Sequence, residues 1–495
     1  MKKHNNIIGG KYCPPASGKY FKNINPANTD DVIGLYAQSE LSDVDKAVKS
    51  AKKCFKGWSS LPAQKRGEII LNAHNLLIKR KEEIAKIETR EMGKTILETR
   101  GDVQEAIDTA FYMAGEGRRL FGFTTPSELT NKIAYTMRSP VGVAGIITPW
   151  NFPAAIPAWK IFPALICGNT VVFKPATDTP ETARVFVELL MEAGLPEGVV
   201  NLVYGLGKEA GEAIVRHPDV SLVSFTGSSQ TGKLIASLCG ESHKRCSLEM
   251  GGKNGQIVLS DADIDLAVDG ALWGAFATSG QRCTATSRLI IDRKVIKEFA
   301  DKLLKRTMKL NVGNGMDASV DLGPIINQQQ LEKIEHYVQI GKDIDRAKLL
   351  CGGEILNSGK HKKGFFYEPT IFADGKSCMT IAREEIFGPV VLIIPVNGIN
   401  EAINALNSTS YGLSSSVYTK NVNHALRVVN EAESGIVYVN SPTIGAECHL
   451  PFGGFKNTGN GHRESGASAL EFFSEIKTVY IDYSGRLQRA QIDTK

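Results

Sequence analysis

Cys283 stands in a short polar stretch, T-S-G-Q-R-C-T-A at residues 278–285. An apolar, helix-like pattern at residues 263–277 precedes the stretch, and a strand-like run at residues 287–292 follows it. A thiol in such a loop can meet a substrate, whereas free cysteines more often pack as small buried hydrophobic residues. The neighbouring Arg282 either lowers the pKa of the thiol, binds an anionic substrate, or forms an outward-pointing salt bridge.

Two other polar residues have surroundings that suit covalent chemistry at a thiol. Glu249 lies between apolar neighbours in S-L-E-M-G-G, and Asn151 lies between Trp150 and Phe152 with a proline on either side. A carboxylate in partly apolar surroundings has a raised pKa and becomes a usable general base. A rigidly held amide can stabilise an oxyanion. For Asn151 the alternative is simple packing of the loop.

A glycine turn at residues 227–234, G-S-S-Q-T-G-K-L, follows a strand-like segment and opens a helix. It matches a phosphate-binding loop except at the last position, where Leu234 replaces the Ser or Thr that reaches magnesium. A nucleotide hydrolase is therefore disfavoured. A nucleotide phosphate at the helix N-terminus and an ordinary strand-to-helix turn both remain open. Lys174 ends the apolar strand T-V-V-F and either binds ribose or phosphate at the same crevice or is a solvated cap.

Composition and length exclude several classes of protein. The chain has 495 residues, 42% hydrophobic and 22% charged, with a net charge of +5, which predicts a soluble protein of two or three lobes without a nucleic-acid partner. The nine cysteines form no close pairs, which favours a reducing cytoplasm. Neither a secretory signal nor a membrane span is expected, because prolines interrupt the apolar region at residues 141–173. Histidine and cysteine spacings predict no zinc or other metal site.

The order of apolar patterns predicts an α/β fold. Residues 62–120 keep a helical period that is broken near Gly93 and Gly101. From residue 135 strands alternate with helices, which is typical of βαβ units and a parallel sheet. Ligands bind at the carboxyl ends of such strands, so Asn151, Lys174 and residues 226–228 should lie along one edge. A second strand–helix series at residues 256–440 predicts a second lobe, and the strand-like tail at residues 476–483 is expected to pair with another subunit.

Seven motifs in one order resemble the aldehyde dehydrogenase superfamily. They are P-W-N-F-P at 149–153, K-P-A at 174–176, F-T-G-S at 225–228, L-E-M-G-G-K at 248–253, G-Q-R-C at 280–283, E-E-I-F-G-P at 384–389 and P-F-G-G at 451–454. The resemblance covers residues 24–480. It implies a Rossmann-type cofactor domain (residues 1–130 and 142–253), an α/β catalytic domain (residues 254–450) and a β-strand oligomerisation arm (residues 131–141 and 470–495), hence a homodimer or homotetramer.

The same resemblance implies roles for individual residues. Cys283 would be the nucleophile that forms a thioester, Glu249 the base, and the Asn151 amide with the Cys283 backbone N–H the oxyanion site. The cofactor-binding residues implied by the motifs are Trp150, Lys174, Gly227, Ser228, Gly232, Glu385 and Phe387. Many NAD-preferring relatives carry an acid three positions after the strand-end lysine, where this chain has Thr177. We therefore predict that NADP is accepted alongside NAD and, in the stronger form of the prediction, preferred.

Four further segments narrow the substrate. G-Q-R-C-T-A-T-S-R at 280–288, N-S-P-T-I-G-A-E at 440–447, H-L-P-F-G-G at 449–454 and G-N-G-H-R-E at 459–464 look most similar to 2-oxoglutarate semialdehyde (2,5-dioxopentanoate) dehydrogenases. By that resemblance Phe152, Trp159, Arg282 and Phe452 would line the aldehyde tunnel, with Arg282 facing a substrate carboxylate. Succinate semialdehyde, other ω-oxo acids and a broad aliphatic range remain alternatives.

Overall fold

The computed structural model describes residues 1–493. Within this range the α-helices are α1 Leu41–Ser60, α2 Ala63–Met92, α3 Ile96–Glu116, α4 Ala155–Ile166, α5 Pro180–Glu192, α6 Glu212–Arg216, α7 Ser229–Gly240, α8 Ile264–Phe276, α9 Ile296–Thr307, α10 Gln328–Gln339, α11 Thr380–Arg383, α12 Gly398–Asn407, α13 Val422–Glu431 and α14 Ser468–Phe472. The strands are β1 Lys3–His4, β2 Asn6–Ile8, β3 Lys11–Cys13, β4 Tyr20–Asn25, β5 Asn28–Ala37, β6 Thr124–Pro126, β7 Lys132–Pro140, β8 Val143–Ile147, β9 Thr170–Lys174, β10 Val200–Leu202, β11 Val220–Thr226, β12 Arg245–Glu249, β13 Asn254–Val258, β14 Thr286–Asp292, β15 Lys348–Cys351, β16 Ile355–Leu356, β17 Phe366–Tyr367, β18 Thr370–Ala373, β19 Val390–Val396, β20 Tyr411–Gly412, β21 Ser414–Tyr418, β22 Ile436–Val439, β23 Phe455–Lys456 and β24 Ser474–Asp482.

The first large sheet has the strand order β12-β11-β8-β9-β10-β2-β3. Its five strands from β12 to β10 are parallel, and β2 and β3 extend it in antiparallel fashion. Every residue of β8 and β9 is buried, because helices cover both faces of the sheet. Helices α2 to α5 form the core on one face, and α1, α6 and α7 form it on the other.

The second large sheet has the order β15-β18-β19-β14-β13-β21-β22. All its neighbours are parallel except β15, which runs antiparallel to β18 at one edge. Helices α8 and α9 pack on one face, and α10, α12 and α13 pack on the other. The chain therefore contains two parallel α/β layers, as the alternating sequence pattern predicts.

The C-terminal strand belongs to a separate three-stranded sheet, β24-β7-β6. Strand β24 pairs antiparallel with β7 along its whole length, from Ser474–Pro140 to Asp482–Lys132, and β6 lies on the other side of β7. The tail is thus a strand that pairs within its own chain. Residues 494–495 of the arm expected from the sequence lie outside the described residues.

One local prediction is wrong, and the error has a physical cause. Gly101 lies inside α3 instead of breaking it. No atom lies within 4 Å of a Cβ added there, so this glycine costs helix propensity but creates no turn. Gly93 does end a helix, with φ 95°. The first helix begins at Leu41, where the Asp43 carboxylate accepts a hydrogen bond from the Glu40 N–H at 3.1 Å.

Candidate functional site

The carboxyl ends of three neighbouring strands bring together the residues that the sequence singled out in the first sheet. Ile147 of β8 pairs with Lys174 of β9 and with Phe225 of β11. Asn151 follows β8 by four positions, and Gly227 follows β11 directly. The register confirms that these residues lie along one edge of the sheet, as the crevice rule predicts.

A tunnel with a cavity volume of about 460 Å³ runs from this edge to the loop of Cys283. Thr226 at the end of β11 lines it together with Glu249 at the end of β12. All four residues expected to contact substrate also line it, namely Phe152, Trp159, Arg282 and Phe452. The Trp159 and Phe452 rings are 4.9 Å apart, and the guanidinium of Arg282 stacks 4.8 Å from the Phe152 ring.

The loop before Cys283 is held in an unusual backbone conformation. Thr278 and Ser279 have φ of 55° and 53°, a region that non-glycine residues rarely adopt. Glu98 of α3 stabilises this turn by accepting hydrogen bonds from the Thr278 N–H and hydroxyl. Gly280 follows with φ 68°, and a Cβ there would lie 2.1 Å from the carbonyl oxygen of Gly388. Only glycine fits this position.

The Cys283 thiol lies partly exposed in the tunnel. Burial raises its pKa to about 12, the carboxylates of Glu385 and Glu249 add to the rise, and Arg282 opposes it. Asn254 fixes the backbone by donating from Nδ2 to the carbonyl oxygen of Cys283 at 2.8 Å. The resting thiol is therefore protonated at neutral pH, and an adjacent base must remove its proton before attack.

Glu249 is 2% exposed, and neither of its carboxylate oxygens has a hydrogen-bond partner within residues 1–493. Burial and the nearby charge of Glu464 hold its pKa well above the usual range, although Lys160 lowers it. Lys160 forms a buried ion pair with Glu464 and donates to Ser224 at 2.9 Å. An unpaired buried carboxylate of this kind is suited to accept and return a proton.

Asn151 is buried with its side chain facing the cysteine loop. Its Nδ2 donates to the carbonyl oxygen of Gln281 at 3.2 Å, and its Oδ1 has no partner in the described part of the chain. The amide therefore has a second N–H free to donate. This places a candidate oxyanion donor next to the residue that precedes Arg282 and Cys283.

The edge of the first sheet fits a dinucleotide. Ser228 caps α7 by accepting from the Thr231 N–H at 3.2 Å, which leaves the helix N-terminus facing the crevice. Added Cβ atoms at Gly227 and Gly232 would lie 2.5 Å from Phe225 and 2.3 Å from Met250, so a side chain at either position would have to displace its neighbour. Their bare backbone allows a phosphate to approach closely.

The other residues expected at the cofactor are Lys174, Thr177, Glu385, Trp150 and Phe387. Lys174 is buried, and burial lowers its pKa to about 8. Thr177 contacts its neighbour Asp178 through a 3.4 Å hydrogen bond. Glu385 accepts from the Gly252 N–H at 2.8 Å, and Trp150 packs edge-on against Phe387 at 5.4 Å. An aromatic pair and a carboxylate beside the Cys283 loop suit a nicotinamide ribose.

Sequence reasoning missed a row of acids on α3. Glu98, Asp102 and Glu105 line the tunnel, and the Trp159 ring N–H donates to Glu105 at 3.0 Å. Their spacing of four and three residues puts them on one helix face, a signal that could have marked them as a unit. Burial raises the pKa of Glu105 to about 7. Asn254, Lys160 and Glu464 carried no comparable signal, because only the fold brings them to the site.

The acidic and sulfur-bearing side chains of the described residues do not gather into a metal centre. No group of three or more His, Cys, Asp or Glu side chains within residues 1–493 is arranged to hold a metal ion. Nor does any helix in this part of the chain have the length and apolarity needed to span a membrane.

The tunnel with its thiol and the crevice with its glycine turn meet at Thr226 and Met250. This is the arrangement of an enzyme that oxidises a covalently held substrate beside a dinucleotide. Residues 12–479 match the model of the aldehyde dehydrogenase family.

The relatives and a solved structure that resemble this chain are aldehyde dehydrogenases as well. The chain is 42% identical over 476 residues to alpha-ketoglutaric semialdehyde dehydrogenase of Bacillus subtilis (strain 168), covering 96% of this chain and 97% of the relative. It is 42% identical over 467 residues to 2,5-dioxopentanoate dehydrogenase of Saccharolobus solfataricus, covering 94% and 96%. The crystal structure of betaine aldehyde dehydrogenase from Staphylococcus aureus in complex with NAD+ superimposes with a TM-score of 0.95 at 34% identity, covering 98% and 96%.

The chain therefore belongs to the aldehyde dehydrogenase family. It is an NAD(P)-dependent aldehyde dehydrogenase, and the recognition and fold class expected from its motifs are confirmed.

Proposed function

We propose that this enzyme oxidises an ω-oxo acid, with 2-oxoglutarate semialdehyde as the foremost candidate, to the corresponding dicarboxylic acid. The observation that carries the proposal is Arg282. Its guanidinium lines the tunnel, stacks on the Phe152 ring and forms no ion pair with a carboxylate in residues 1–493. The nearest carboxylates, Glu98 and Asp102, are bound to Thr278 and Lys94 instead. A substrate carboxylate would give this half-buried cation an anionic partner.

The names of the two relatives support the same substrate class, since both are dehydrogenases of 2-oxoglutarate semialdehyde under its alternative names. Succinate semialdehyde is the shorter alternative, and a broad aliphatic range is the third. A nucleotide hydrolase is not proposed, because Leu234 occupies the magnesium-binding position of the glycine turn.

In the proposed mechanism Glu249 removes the proton of the Cys283 thiol, and the thiolate sulfur adds to the aldehyde carbon. The Asn151 amide and the Cys283 backbone N–H hold the resulting oxyanion. Bound NAD(P) supplies the acceptor for the hydride that leaves this carbon. The carbon then remains bound to Cys283 as a thioester.

Release of the acid needs a second proton transfer. Glu249 first releases the thiol proton to solvent and then takes a proton from water, and the hydroxide attacks the thioester carbon. The Cys283 thiolate leaves and takes this proton back from Glu249. The raised pKa of Glu249 makes it a stronger base than an ordinary carboxylate. Both transfers use one carboxylate that has no competing partner in the described residues.

We further propose that NADP is accepted and preferred over NAD. Lys174 and the N-terminus of α7 supply positive potential at the crevice, and Thr177 brings no negative charge. Trp150, Glu385 and Phe387 would then enclose the nicotinamide end, and Gly227, Ser228 and Gly232 the pyrophosphate.

The division into a cofactor domain, a catalytic domain and an arm is proposed on the basis of the two seven-stranded sheets and the sheet β24-β7-β6. Exposed apolar residues on the arm support its role in a homodimer or homotetramer, among them Ile476 and Tyr480 of β24 and Met137 of β7. All nine cysteines are free, which supports a reducing cytoplasmic setting.

A panel of aldehydes measured against both cofactors tests the proposal. It contains 2-oxoglutarate semialdehyde, succinate semialdehyde and the uncharged pentanal, and kcat/KM is the quantity compared. We expect 2-oxoglutarate semialdehyde to exceed pentanal by at least tenfold. Equal values for the charged and uncharged aldehydes would refute the carboxylate assignment, and a tenfold preference for NAD would refute the cofactor assignment.

A further inference from the structure

Lys94 is a fully buried lysine directly between the end of α2 and the start of α3. Its Nζ lies 2.7 Å from Glu88 Oε1 and 2.6 Å from Asp102 Oδ2. It also donates at 3.0 Å to the main-chain carbonyl oxygen of Asn151, and it stands 4.0 Å from the centre of the Phe152 ring. Lys94 does not line the tunnel, so it acts on substrate only through its neighbours.

The bond to Asn151 matters because the side chain of that residue is weakly held. Its one hydrogen bond, to Gln281, is 3.2 Å long, and Oδ1 has no partner in the described residues. The position of the amide therefore depends on the backbone of the loop between β8 and α4. Lys94 holds that backbone at the asparagine itself, and Asp102 holds it further along by accepting from the Ala155 N–H at 2.7 Å.

The first turns of α3 also hold the loop of the thiol. Glu98 accepts from the Thr278 N–H and hydroxyl, five positions before Cys283. The Asn151 loop comes from the first sheet, whereas the Cys283 loop precedes β14 of the second. The region from Lys94 to Asp102 is thus a single support that contacts both loops.

We propose that Lys94 is a positioning residue for the oxyanion site, which fixes the Asn151 backbone so that its amide stays in register with the Cys283 N–H. The proposal rests on the proposed roles of Asn151 and Cys283. A buried ion pair is weak evidence for a purely stabilising role, because apolar replacements of such groups are often neutral. Displacement of a reacting group by about 1 Å can cost about 100-fold in rate.

A double-mutant cycle tests the proposal with Lys94→Met, Asn151→Ala and the combined variant, assayed on propanal and on 2-oxoglutarate semialdehyde. We expect Lys94→Met to lower kcat about 10- to 100-fold, with the Kd for NAD(P) and the rate of Cys283 alkylation by iodoacetamide within twofold of the parent. The kcat of the combined variant should equal that of Asn151→Ala within threefold, because the bond from Lys94 has no amide left to position. Arg100→Met, which breaks an exposed ion pair between α3 and Glu82 of α2, is the control that should leave kcat unchanged.

Lys94→Met leaves Glu88 and Asp102 as unpaired buried acids, so a triple variant, Lys94→Met with Glu88→Gln and Asp102→Asn, removes their charges too. We expect it to fold and to keep the kcat loss. Full kcat in the triple variant, or independent losses that multiply in the combined variant, would overturn the proposal. If Asn151→Ala itself keeps kcat within threefold, the oxyanion assignment fails and Lys94 falls with it. If Asn151→Ala lowers kcat but Lys94→Met leaves it unchanged, the oxyanion assignment stands and the positioning role alone is wrong.

Discussion

Substitution of Glu249 by Gln should lower the rate of catalysis and raise the stability of the fold. The parent carboxylate is 2% exposed with both oxygens unpaired in the described residues, and burial and Glu464 raise its pKa. A buried polar group without a partner costs about 1–3 kcal/mol, more when charged. Gln leaves unpaired polar atoms at the same buried position and removes only the charge, so Glu249→Gln should raise the free energy of unfolding at pH 8 by the extra cost of that charge, on the order of 1 kcal/mol. The loss of a general base should lower steady-state kcat by about 10²–10⁴-fold.

The sign of the pH dependence follows from the raised pKa. The folded parent binds a proton at Glu249 that the unfolded chain releases above its carboxyl pKa of about 4.3, so this residue lowers stability as the pH rises above that value. Glu249→Gln has no proton to lose, and its stability should fall less between pH 5 and pH 8. Thermal unfolding at both pH values measures the difference.

The kinetic assay is rapid mixing of Glu249→Gln with aldehyde and NADP while absorbance at 340 nm is followed. If the main duty of Glu249 is release of the thioester, a burst of about one NADPH per site precedes slow turnover. Glu105→Gln is the matched control, because it neutralises another tunnel acid and should give no burst. Steady-state kcat within threefold of the parent would refute the base assignment, and a slow reaction without a burst would assign Glu249 mainly to activation of the thiol.

Three further outcomes are expected. Arg282→Met should raise the KM for 2-oxoglutarate semialdehyde at least tenfold and leave that for pentanal within threefold, since only the former has a carboxylate to lose its partner; equal changes in both KM values would show that Arg282 only shapes the loop. Thr177→Glu should raise the KM for NADP at least tenfold relative to that for NAD, with Thr177→Ser as the control, and an unchanged ratio would remove residue 177 from the cofactor site. Glu105, with its pKa raised to about 7, should make the parent lose stability between about pH 4.3 and pH 7, and Glu105→Gln should flatten the thermal-unfolding profile over that window; parallel profiles would show that burial does not perturb this carboxyl.

Local sequence patterns were enough to predict much of the fold and to identify the reacting residues. Strand-like segments that alternate with helical ones along the chain predicted two parallel α/β layers. The strands could be recognised because strands that are covered on both faces must be nearly continuous in apolar residues. Rigid or glycine-rich motifs marked Asn151, Cys283 and the turn at Gly227, since each depends on neighbours in sequence. The family followed from the order of these motifs and is confirmed.

Only the tertiary structure decided what surrounds those residues. Lys94 and Glu98 contact Asn151 and Thr278 across 57 and 180 positions, and Glu464 reaches Lys160 across 304. Such contacts depend on how the lobes pack, which no local pattern encodes. The freedom of Arg282 and Glu249 from partners in the described residues is likewise a property of the packed tunnel, because it depends on every neighbouring acid and base being engaged elsewhere. The sequence determined which groups can react, and the packing determined which of them are left free to do so.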